Sequence, residues 1–229
     1  MNLKKIMLSV CGMFLAVLLA SCGSSGDAEA KKYAEEAVIG SASDKPEVIS
    51  ALSDIIYALT IDSIELPEFT NPEDALPLCR DSVLNCLLTT SYSRFSGSTA
   101  TLEKAALEYP NMNITAAIGT ADFEGMLYSI FNHGGNVRHS DTKRFQYLSK
   151  IEAYTPVVQT KACTYSLDII SIDETESTYR MTFYCQSGEE ISPEYLAVFV
   201  KRENASCYIN SLEKIASERI TCNLTKTFS

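Results

Sequence analysis

The 229-residue sequence contains no tryptophan and only two histidines, and each scarcity narrows what the chain can do. Without tryptophan, a sheet face built to stack sugars loses its strongest platform. With two histidines, any imidazole-dependent centre must use His133 or His139. There is no Cys-x-x-Cys spacing, so a zinc ribbon or thioredoxin-type centre has no support. There is no Gly-x-Ser-x-Gly elbow either, which removes the usual signature of an α/β-hydrolase nucleophile. Basic clusters with interleaved aromatics are also missing: 29 acidic residues outweigh 19 basic ones, for a formal charge of -10. Such a surface repels phosphate backbones, so no nucleic-acid partner is expected. No repeat of fixed period occurs, and no apolar run of membrane length follows residue 22.

What is present begins at the first residues. Lys4 and Lys5 precede an apolar run from Ile6 to Leu19, closed by the small residues Ala20 and Ser21. The run is about 21 Å long as a helix, against a hydrocarbon core of about 30 Å, which fits a secretory signal peptide over residues 1–21 rather than a permanent span. Leu19-Ala20-Ser21-Cys22 resembles the lipobox of bacterial lipoproteins, a leucine and two small residues before an obligatory cysteine. The resemblance covers the first 22 residues. It implies cleavage between Ser21 and Cys22 and attachment of a diacylglycerol to the Cys22 thiol, often with a further palmitate-type chain on the new amino group. Two or three acyl chains hold a protein stably at a bilayer. The bilayer, reached through Cys22, is therefore the first expected partner. Gly23, where some two-membrane bacteria use aspartate for inner-membrane retention, favours the outer membrane as the cell-envelope address. Residues 22–30 then read as a flexible tether. Loss of residues 1–21 takes the formal charge from -10 to -12.

The remainder reads as an α+β fold, with a mostly helical region over residues 31–153 and an antiparallel sheet of four to five strands over 154–229, packed together as one domain. Helices are expected at 28–39, 45–59, 75–89, 101–108, 121–131 and 141–153. Asp44 would cap the second of these, and Thr120 the fifth. From Thr155 the period changes to two. Pairing positions that sum to 348 sets Cys163 opposite Cys185, Tyr165 opposite Phe183 and Leu167 opposite Met181, around an acidic turn of Asp173, Glu174 and Glu176. That register would let Cys163 and Cys185 form a cross-strand disulfide, which an exported location permits. Tyr195 to Val200 is apolar throughout and should be a central strand, with Val200 facing Cys207 and Val198 facing Ile209. A last strand is expected at 219–224. In element order, residues 120–224 resemble the cystatin-like and nuclear-transport-factor-like folds, which implies a curved meander wrapping a helix.

Candidate sites are few. The loop from Asn132 to Asp141 carries His133, His139 and Asp141, which could together bind a divalent metal for hydrolysis. The competing structural reading places His133 in the last turn of a helix that Gly134 ends. On the outer face of the sheet, Tyr184, Phe199 and Tyr208 could present aromatics to a ligand or partner. No catalytic constellation emerges and no cofactor is expected. The sequence favours a membrane-anchored envelope lipoprotein that binds an envelope protein or a small ligand without catalysis; a metal-assisted hydrolase and a structural spacer are the alternatives.

Overall fold

A computed structural model describes residues 33, 36–60, 64–89, 99–133, 137–158, 165–203 and 206–215. The architecture is α+β: helices come first, and a multi-stranded antiparallel sheet follows. Strand β1 (Gly40–Ser41) leads into helix α1 (Pro46–Leu59), then α2 (Pro72–Thr89) and α3 (Thr99–Glu108). Strand β2 (Ile118–Gly119) feeds α4 (Thr120–Phe131), and β3 (Phe145–Leu148) and β4 (Ala153–Pro156) form a hairpin. The long strands β5 (Ser166–Glu174), β6 (Thr178–Ser187), β8 (Tyr195–Lys201) and β9 (Cys207–Lys214) follow, with the two-residue β7 (Glu190–Ile191) beside β6. The large sheet runs β1-β5-β6-β8-β9, and a small one runs β2-β4-β3.

Local chemistry explains the helix ends. Pro46 opens α1, where a missing N–H costs nothing, and Leu52, Ile56 and Leu59 fall on its buried face. Lys45 precedes the helix with no side-chain cap, so Asp44 does not serve as one. Helix α2 starts three residues earlier than expected, because Asn71 Oδ1 accepts the Asp74 N–H and Pro72 supplies the first turn. Pro77 therefore lies inside the helix rather than at its start. Cys79 and Cys86 are buried on the inward face of α2, as the spacing predicts. Thr120 does not cap α4 through its side chain; its N–H instead donates to Glu152 O in the β3–β4 turn, tying helix to hairpin. Asn132, left-handed at φ 55, ends α4, in place of the expected Gly134. The helix expected over 28–39 does not reach its end, since residues 36–39 are not helical.

The largest departure is at 141–153, where a hairpin replaces the expected helix. Phe145 and Leu148 are three apart, a helical interval, yet they bury into different clusters. Phe145 enters the main core, and Leu148 packs with Ala105 and Ala117 under α3. A strand sends residues an odd number apart to opposite faces, so two cores on two sides produce the same spacing.

In the large sheet the β5–β6 register also differs. Leu167 pairs with Cys185 and Ile169 with Phe183, and Ile172 pairs with Met181 after a bulge at Ile170. The cause lies at the turn: Asp173 and Glu174 continue the strand, because Glu174 accepts hydrogen bonds from Lys45 and Lys201, and the tip is Thr175 to Thr178. Strand β8 is central and largely buried on both faces, as expected, but Phe199 faces Ile209 and Val200 faces Tyr208, one position from the anticipated pairing. A second bulge, with Asn210 as the extra residue in β9, shifts the pairing by one more position and sets Ala197 opposite Leu212.

The main core joins residues of α1, α2 and α4 to the inward face of β6, β8 and β9. On the opposite face of β8, Tyr33 packs with Val198 and Val200, and Tyr208 lies against them. Arg180 donates to the carbonyls of Tyr33 and Glu36, while the Glu36 carboxylate accepts from Thr175 and Ser177. The chain before β1 is thus strapped across the sheet.

Candidate functional site

His133 follows Asn132, outside α4 rather than in its last turn. His139 is turned inward instead of toward His133. Its Nε2 lies 2.8 Å from Glu124 Oε1 and its Nδ1 2.9 Å from the Tyr154 hydroxyl, and its ring stacks on Tyr147. Arg80 Nη2 donates to the Tyr154 hydroxyl at 2.9 Å and to Ser140 O at 3.1 Å. Two proton arrangements satisfy these contacts: Arg80 donates to the Tyr154 oxygen and His139 Nε2–H to Glu124 in both, while His139 Nδ1 either accepts the Tyr154 O–H or donates to its oxygen. Tyr154 is fully buried, and burial pushes its phenol upward, with Arg80 partly opposing. The hydroxyl is thus a buried, protonated strut between Arg80 and His139.

Asp141 is engaged elsewhere, its Oδ1 accepting the Tyr147 N–H and fixing the entry to β3. Among the described residues, no group of three or more His, Cys, Asp or Glu side chains is placed to hold a metal ion. The expectation of a His133, His139 and Asp141 centre is therefore corrected, because Glu124 and Tyr154 take both nitrogens of His139 and a backbone amide takes Asp141. Beside this network an open cleft of about 510 Å³ is lined by Arg80, Asp81, Asp141 and Lys143, with Thr142 bonded to Asp81. Its mixed charges focus no single sign.

The three sheet aromatics do not share a face. Phe199 is fully buried in the main core, whereas Tyr208 lies on the opposite side against Val198 and Val200. The one-position difference in the β8–β9 pairing is what turns Phe199 inward. Tyr184 is half-buried and pairs across the sheet with Asp168. The register expected to set Cys163 opposite Cys185 does not form, since Leu167 pairs with Cys185; Cys163 itself lies outside the described residues. Ser21 and Cys22 also lie outside them, as does the strand expected at 219–224.

The second concavity is a groove of about 470 Å³ between α1, α4 and the β8–β9 turn. Ile55, Met126, Ile130 and Cys207 form its apolar wall; Asp54 stands on α1 and Arg202 on the turn. The Arg202 guanidinium lies between two rings, 5.1 Å from the Tyr128 centroid and 5.2 Å from that of Tyr208, and Nη2 donates to Tyr128 O at 2.6 Å. Its Nε is buried with no hydrogen-bond partner among the described residues. Burial pushes the Cys207 thiol up to about 11, with Arg202 partly opposing, so it is protonated and unreactive at neutral pH.

Periodicity could not have found Arg202, Tyr128 or Glu124, because each acts through a contact remote in sequence. The one available signal was Arg202 at a strand end beside the turn residues Glu203 and Asn204. No family model matches this chain, and neither curated proteins nor solved structures provide a match.

Proposed function

We infer that this chain is a bacterial envelope lipoprotein, held to a membrane by acyl chains on Cys22, whose α+β body binds a protein or small ligand without catalysing a reaction. The observation that carries this reading is Leu19-Ala20-Ser21-Cys22 at the end of a short apolar run with a basic start. Gly23 favours the outer membrane where there are two. Among the described residues, no helix is long and apolar enough to cross a membrane, so an anchor there would have to be covalent or peripheral. A binding role draws support from the open groove beside Arg202, and a non-catalytic one from the engagement of the Tyr154 hydroxyl, both His139 nitrogens and Glu124 with one another.

Mass spectrometry of the native protein tests the anchor. The expected product lacks residues 1–21 and carries a diacylglycerol thioether at Cys22. A retained Met1, or an unmodified thiol at Cys22, overturns the assignment.

A further inference from the structure

We propose that the groove between α1, α4 and the β8–β9 turn binds the free C-terminal carboxylate of a short apolar peptide, with Arg202 as its receptor. This deepens the binding role inferred above and does not depend on the anchor.

Three features support the assignment. First, Arg202 is set in advance. Stacking between Tyr128 and Tyr208 and the bond from Nη2 to Tyr128 O hold the guanidinium on the groove wall, so little freedom is left to lose when an anion arrives. Second, its hydrogen-bonding capacity is underused. Among the described residues Nη2 alone has a protein acceptor and the charge has no carboxylate partner; Nε is buried, so the donors offered to a ligand are those of the two terminal nitrogens. Asp54 lines the same groove without pairing to it. A planar guanidinium with spare donors matches a carboxylate. Third, the wall beyond it is apolar, with Ile55, Met126 and Ile130 placed to take hydrophobic side chains, and the volume is that of a small-ligand site. Ser129 and Asp54 on the rim offer acceptors to peptide N–H groups, which a plain hydrocarbon chain would not use. Asp54 also disfavours ligands with several negative charges, leaving one carboxylate on an apolar body.

The test uses the full chain as isolated from its host, kept in lipid nanodiscs where it carries acyl chains and in buffer where it does not, titrated by calorimetry. The probes are N-acetyl-leucyl-leucine with a free carboxylate, its C-terminal amide, and octanoate. The acid is expected to bind at least about tenfold more tightly than the amide, the usual worth of a charge-assisted hydrogen bond, and to shift the Met126 methyl resonance. Arg202→Gln should bring the acid down to the level of the amide, and Arg202→Lys should recover part of the difference. Equal affinities for acid and amide, or no binding of either at millimolar concentration, would sink the proposal without touching the lipid anchor. Preference for octanoate over the peptide acid would overturn the peptide assignment. The comparison of acid with amide on the unaltered chain needs no variant to fold.

Discussion

Tyr154 shows how one hydroxyl can hold four elements together. It receives Arg80 from α2 and contacts His139 from the loop, which in turn reaches Glu124 on α4. Tyr154→Phe would leave Arg80 Nη2 and His139 Nδ1 facing a hydrocarbon edge in a buried place. The expected cost is about 1–3 kcal/mol in denaturant-induced unfolding, and a change near zero would show that water replaces the hydroxyl. Glu152 presents the opposite case. Its φ of 50 places a side-chain-bearing residue in left-handed backbone at the β3–β4 turn. Glu152→Gly should raise stability by about 0.5–1 kcal/mol, the relieved strain exceeding the added freedom of the unfolded chain. Acid response follows from two other carboxylates. Hydrogen bonds from Lys201 and then Lys45 hold Glu174 below its ordinary value, and bonds from Thr175 and Ser177 lower Glu36 against a smaller opposing effect of burial. Groups depressed in the folded state contribute fully above about pH 4.5, and that contribution is lost as pH falls through their folded values. Hydrogen exchange at the Ile39 and Ala42 amides, which donate to Glu174 O and Ile172 O, should therefore accelerate below that pH before the central strands respond.

Among the elements, the strap before β1 is attached by polar contacts, in contrast to the packed core strands. Arg180 bonds to two of its carbonyls, and its removal by Arg180→Ala should raise proteolytic cutting near Glu36 while leaving the β6 and β8 amides protected. Loss of protection throughout the sheet would instead mean that the strap and sheet unfold as one. The same elements show what was legible in the sequence. Helices α1 and α2 and the four long strands follow from apolar spacing, whereas α3 and α4 follow from punctuation, Pro110 after α3 and turn-forming residues at the ends of α4. The β3–β4 hairpin did not, because Phe145 and Leu148 serve separate cores and imitate a helix. Register was illegible for a related reason. The bulges at Ile170 and Asn210 each add a residue, and Glu174 is held in a strand by β1 and by Lys45 and Lys201, all of which arrive from elsewhere in the chain. Of the candidate site, the residue types were visible, but the meeting of Arg202 with Tyr128 depends on tertiary contacts that no local pattern encodes.

For the molecule as a whole, one main core spans helices and sheet, and the smaller clusters under α3 and beneath Tyr33 lie outside it. Surface charge is strongly negative, so molecules repel one another at low salt. The outer side of β5 is the obvious place for a second copy to attach, since among the described residues β1 and the Ala42–Ser43 segment after it cover only Ile172, Asp173 and Glu174. There the bulge at Ile170 interrupts the ladder, a known means of blunting an exposed edge. Light scattering from concentrated protein in nanodiscs holding one chain each should report no pairing between discs, and a mass that rises with concentration would show the edge to be open. If the proposed anchor holds, chains sharing a membrane plane collide flank to flank far more often than freely tumbling ones. A kinked border gives such encounters no straight seam to zip along, so crowding should leave them as neighbours rather than knit them into a raft.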